Sequence, residues 1–113
     1  MNYQIITTKD FENNFKRLSK KYRSLENDYE ILIGDLLANP EIGDKLDDNT
    51  RKVRMAIASK NKGKSGGARV ITCTVLLSVT DTDIYLLTIY DKGEQENISK
   101  KEIEYLKKIN GLE

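Results

Sequence analysis

Residues 70–90 read VITCTVLLSVTDTDIYLLTIY, and the period of this stretch decides the fold. Between Val70 and Val79, the residues Ile71, Cys73, Val75, Leu77 and Val79 fall on one face, with Thr72, Thr74 and Ser78 on the other. Alternation at every second residue is the signature of a strand, and β-branched side chains favour the pleated backbone. Thr80-Asp81-Thr82-Asp83 supplies the turn, and Ile84 to Tyr90 returns, so the stretch predicts an antiparallel hairpin. Just upstream, Val53, Met55 and Ile57 alternate with Lys52, Arg54 and Ala56, a third strand with one apolar and one basic face.

Further out the period changes from 2 to 3.6. Phe11, Phe15, Leu18, Tyr22 and Leu25 recur at helical spacing after an N-cap at Thr7 or Thr8, with Asp10 placed to favour the helix dipole. Ser24 reads as a second N-cap, so the stripe divides near Tyr22–Ser24. The second helix carries Leu25, Tyr29, Leu32, Ile33, Leu36 and Leu37 and stops before Asn39-Pro40, where the residue preceding proline avoids helical geometry. The aromatic residues of this helix hairpin are read as core. Tyr3–Thr7 is a short strand candidate, and residues 40–50 are a polar connection. Ser99-Lys100-Lys101-Glu102 has capping-box spacing and opens a last helix with Ile103, Leu106 and Ile109, ended by Gly111. The expectation is one α+β domain over residues 1–113: an antiparallel sheet with an N-terminal helix hairpin, a C-terminal helix, and all helices on one face.

Charge is distributed unevenly. The 113 residues carry a net +1, yet residues 1–50 and 70–113 are each −3, while residues 51–69 hold seven basic residues and no acid. Those seven are Arg51, Lys52, Arg54, Lys60, Lys62, Lys64 and Arg69. Such a block at the foot of an apolar strand and among glycines points to an anionic partner. Chemistry is narrowed as sharply. With no His and one Cys, the usual zinc sites and His-based triads are excluded, so no metal or cofactor is expected. The lone Cys73, the lack of a membrane-length apolar run and an N-terminus without a basic region before an apolar stretch suggest a cytoplasmic protein.

Gly63-Lys64-Ser65 suggests a P-loop, but that motif needs glycine where Ala58 stands and a helix where the β-branched Val70 stretch follows. What remains is Gly66-Gly67, whose backbone N–H groups can approach phosphate closely, and the lysines at 60, 62 and 64.

Arg51 through Arg54, the loop Gly63-Lys64-Ser65-Gly66-Gly67-Ala68-Arg69, the strand end Ile89-Tyr90-Asp91-Lys92 with Asn97-Ile98-Ser99, and the preceding helix pair occur in an order that resembles the RelE/ParE toxin superfamily, and within it the HigB-like branch. The resemblance spans most of residues 8–110. It implies a toxin of a type II toxin-antitoxin system: a ribosome-dependent, metal-independent endoribonuclease that cuts mRNA, inhibits translation and is silenced by a cognate antitoxin. Cleavage by the 2′-OH of RNA needs a proton acceptor, a stabiliser of the phosphorane charge and a proton donor to the leaving oxygen. Arg69 suits the charge-stabilising role through its planar fork, with Lys64, Lys92 and Tyr90 as further candidate catalytic groups; Tyr90 is alternatively a base-stacking platform. Lys52, Arg54, Lys60, Lys62, Ser65, Gly66 and Gly67 are the expected RNA-binding set. Two alternatives stand beside this reading: a non-catalytic nucleic-acid or protein-binding module, and a gyrase-poisoning toxin, each using the same basic groove.

Overall fold

The hairpin at the centre of the molecule consists of β4 (Ala68–Leu76) and β5 (Asp81–Asp91), and the computed structural model describes residues 2–112 around it. β3 (Thr50–Met55) pairs antiparallel with β4, and the two-residue β2 (Asp44–Lys45) pairs with β3 at one edge. β1 (Asn2–Thr7) lies at the other edge, giving the order β1-β5-β4-β3-β2. β1 runs parallel to β5, the one departure from an antiparallel sheet, because the chain leaves β1 through a helix that crosses back over the sheet.

Thr8 caps that helix, α1 (Lys9–Lys21), by accepting from the Phe11 N–H, and its own hydroxyl reaches the Leu86 and Leu87 carbonyls of β5. α2 (Leu25–Ala38) follows after a sharp corner and ends before Asn39-Pro40, as the proline requires. Phe11, Phe15 and Tyr29 meet between the two helices with ring centroids 5.1–5.8 Å apart. Ser24 stands at the cap position of α2 but makes no side-chain cap bond. Its hydroxyl donates to Asp28 and accepts from the Ser59 N–H, so its work is tertiary.

Three further expectations need correction. The hairpin turn comes earlier than Thr80–Asp83: the Leu77 and Ser78 N–H groups donate to the Asp81 carbonyl, and β5 starts at Asp81. Leu77 and Val79 therefore stand exposed at the tip, Val79 at 89%, and not on a strand face. Ile57 is buried but lies beyond β3, ahead of a 3-10 turn at Ala58–Lys60.

The helices also do not share a face. α1 and α2 cover Val53, Met55, Val70, Ile84, Leu86 and Ile89, whereas α3 (Lys100–Ile109) packs its Ile103 and Leu106 against Ile71, Cys73, Leu87 and Tyr90 on the other side. The central strands are apolar on both faces, so a second layer is needed to keep them from water. A β-bulge serves both layers. Ile71 faces Thr88 and Thr72 faces Leu86, leaving Leu87 as the extra residue, and this is how Leu86 and Ile89 come to share one core despite their odd spacing.

Candidate nucleic-acid interface

The basic block folds into β3, the 3-10 turn, the loop 61–67 and the first residues of β4. Two backbone features shape that loop. Asn61 and Gly63 both adopt positive φ, 57° and 63°, which turns the chain back on itself. Gly67 then runs so close to β3 that a Cβ would overlap the Met55 carbonyl oxygen, while its own carbonyl accepts from the Lys92 N–H at 3.0 Å. The loop is thereby clamped between β3 and the end of β5.

Arg54, Arg69 and Tyr90 line up across β3, β4 and β5 on the α3 side of the sheet. Arg54 is exposed; Arg69 and Tyr90 are buried, at 6% and 4%. Arg69 has no carboxylate partner among the described residues. Its guanidinium instead donates to the carbonyls of Lys64 at 3.0 Å, Ser65 at 3.2 Å and Ala68 at 3.2 Å, so it holds the loop by its backbone. The Tyr90 hydroxyl is buried without a hydrogen-bond partner. Burial pushes its pKa up, against the opposing pull of Arg69. An enclosed ring leaves no face for a base, so the stacking role expected for Tyr90 is not available in this arrangement.

The lysines separate into two groups. Lys62 and Lys64 are exposed and form no salt bridge among the described residues. Lys64, Arg54 and Lys52 border a groove of about 400 Å³ between α2 and the β2–β3 edge, with Asp35 and Asp44 as its acidic members. Lys60 belongs elsewhere: its Nζ lies 2.7 Å from Oδ1 of Asp91, a carboxylate only 1% exposed. Tyr22 donates its hydroxyl to the other oxygen of Asp91, the Gly93 N–H donates to Oδ1 at 2.9 Å, and the Lys21 ammonium lies 3.7 Å from Oδ2. Burial pushes the Asp91 carboxyl up, but Lys60, Tyr22 and the Gly93 N–H outweigh it and hold the pKa at about 2. Lys92 turns away from the groove and donates from Nζ to the Glu96 carbonyl at 2.9 Å.

The structure thus brings Lys52, Arg54 and Lys64 together, sets Arg69 and Tyr90 beneath the loop, and uses Lys60 as a structural cation. Sequence reasoning missed Asp91 as the anchor. Its signal was an acid closing a strand whose preceding residues are apolar, beside a Tyr22 read only as core. Asp28 was passed over in the same way: this buried carboxylate accepts from the Ala58 N–H at 3.2 Å and fixes the 3-10 turn to the start of α2. Lysines, arginines and backbone N–H groups give this surface the chemistry that anions need, and there is no cluster of three metal-ligating side chains among the described residues. No helix there is long and apolar enough to cross a membrane. No protein-family model matches the chain.

Proposed function

We propose that the basic surface built by β3 and the loop 61–67 binds RNA, and that the chain is a translation-inhibiting toxin that cuts mRNA on the ribosome and is held silent by a cognate antitoxin. The observation that carries the RNA-binding part is the set Arg54, Lys62 and Lys64, which faces solvent without a salt bridge among the described residues although a third of the chain is charged. Unpaired, exposed cations around a glycine-rich backbone suit a phosphate chain. The cleavage part rests on the resemblance to the RelE/ParE superfamily and on the chemistry of Arg69. In this reading Arg69 exchanges the neutral Lys64 and Ser65 carbonyls for phosphate oxygens, which a guanidinium binds more strongly. It then stabilises the charge that develops on the phosphorane.

Cleavage of mRNA in translating ribosomes is the deciding measurement. Arg69→Ala is expected to lower the cleavage rate roughly 10²–10³-fold, the effect of removing one transition-state charge stabiliser. Arg69→Lys is expected to recover little, since an ammonium cannot reproduce the fork. The bonds from Arg69 to the loop carbonyls favour a second reading, in which Arg69 only shapes a binding loop of a non-catalytic module. Ribosome or RNA binding by the wild type without any cleavage would establish that reading in place of the first.

A further inference from the structure

The two edges of the sheet are built differently. At one end β2 is only two residues long, and both of them, Asp44 and Lys45, are exposed charges. A short, charged edge resists further pairing. At the other end β1 runs six residues, Asn2-Tyr3-Gln4-Ile5-Ile6-Thr7, with no charge, proline or bulge to protect it. α1 packs over β5, and no described strand lies outside β1.

Two bonds fix which backbone groups this edge presents. The Asn2 N–H donates to the Thr80 carbonyl and the Thr8 N–H to the Leu86 carbonyl. In the parallel ladder between them, Gln4 and Ile6 also turn their backbone groups toward β5. Tyr3, Ile5 and Thr7 therefore point their N–H and C=O groups away from the sheet, and no described segment pairs with them. Such a row is a template for another strand.

We infer that β1 pairs antiparallel with β1 of a second copy of this chain, about a two-fold axis at Ile5, joining the two sheets into one. In this register Ile5 exchanges both backbone bonds with Ile5 of the second copy, and Tyr3 does so with its Thr7, so every outward group is used. The side chains also match. Ile5 meets Ile5 and Tyr3 meets Thr7 on the α1–α2 side, where Tyr3 and Ile5 already pack against the core, so the apolar layer continues across the axis. On the α3 side Gln4 meets Ile6. A groove of about 330 Å³ lies there, bordered by Asn2, Gln4 and Leu77, with Asp81 and Asp83 of β5 behind them. The half-buried Ile6 of the second copy comes to its outer margin, toward Leu77, which is 60% exposed. A neutral strand meets its own copy without like-charge repulsion, whereas an acidic or basic partner strand finds no counter-charge along β1. The basic loop lies at the far side of β4, so the dimer leaves the proposed RNA surface free and the inference stands independently of it.

The test is sedimentation equilibrium of the full chain between about 5 and 500 µM at constant salt, with backbone amide exchange followed by NMR at both ends of the range. A strip one strand wide is a small interface, so a monomer is expected at the low end and a dimer at the high end. The Gln4 and Ile6 amides are expected to be protected throughout, while those of Tyr3, Ile5 and Thr7 slow about 10-fold or more only in the dimer. Gln4→Lys, at an exposed position, sets like charges diagonally across the axis and is expected to weaken association about 3-fold, as is Gln4→Glu. An equal mixture of the two variants is expected to recover it, with melting at low concentration as the control for folding. A monomer at every concentration overturns the self-pairing and leaves the edge to a strand of another protein. A dimer whose Tyr3, Ile5 and Thr7 amides exchange as freely as in the monomer overturns it too, by placing association on another surface. So does a dimer that both Gln4 variants form as readily as the wild type.

Discussion

Asp91 shows how one buried carboxylate can hold a basic surface in place. It collects Lys60 from the 3-10 turn, Tyr22 from the α1–α2 corner and the Gly93 N–H from its own strand's end. Its folded pKa of about 2 lies below the ordinary 3.8, so its contribution to stability is fully present above about pH 4 and is lost as pH falls toward 2. The size of that contribution is about 2 kcal/mol. Acid unfolding followed by circular dichroism is expected to show this limb, and Asp91→Asn to flatten it. The same substitution leaves the largely buried Lys60 ammonium without its counter-charge and is expected to cost about 3 kcal/mol in denaturant unfolding at pH 7. That expectation separates Lys60 from its neighbours in the loop: it holds the fold, while Lys62 and Lys64 stay exposed for the proposed RNA contact.

The elements differ in how far the sequence disclosed them. α1, α2 and α3 were legible because their signals are local: the 3.6-residue stripe, Thr8 and Ser99 as caps, Pro40 as a stop. The second layer was harder to read, although Val70-Ile71 and Leu86-Leu87 place apolar side chains on opposite faces of β4 and β5. The bulge at Leu87 and the two-residue β2 have no local signature, since both are set by pairing partners distant in sequence. At the candidate site, the charge block and its glycines were visible, but the loss of Lys60 to Asp91 was not, because the two are 31 residues apart. Glycine substitutions test the loop as an element. Gly67→Ala must push the Cβ into the Met55 carbonyl and is expected to lower stability by about 3 kcal/mol, the upper range for overpacking. Gly63→Ala meets no atom and pays only for its positive φ, about 1 kcal/mol, so thermal melts of the pair should differ clearly.

At the scale of the whole molecule, a net charge of +1 conceals a dipolar arrangement, with the basic block between two acidic segments. Binding to single-stranded RNA is expected to weaken steeply with salt, and Lys62→Gln with Lys64→Gln to flatten the slope of log K against log salt by about 1.4, two phosphate contacts' worth. Lys60→Gln is expected to lower the melting temperature while leaving that slope unchanged; filter binding at a series of salt concentrations checks both. In cells, expression without an antitoxin is expected to arrest growth by halting protein synthesis first, and pulse labelling that showed DNA synthesis failing first would favour the gyrase-poison alternative. The parallel pairing of β1 with β5 carries a consequence for the order of assembly. Asn2 faces Asp81, so β1 has no partner until some eighty residues later in the chain. During synthesis the basic loop 61–67 emerges from the ribosome before Asp91, Gly93 and β5 have emerged to clamp it, so the nascent chain carries its charges in an unformed surface. The loop is locked only once β5 is in place, the strand that also recruits β1.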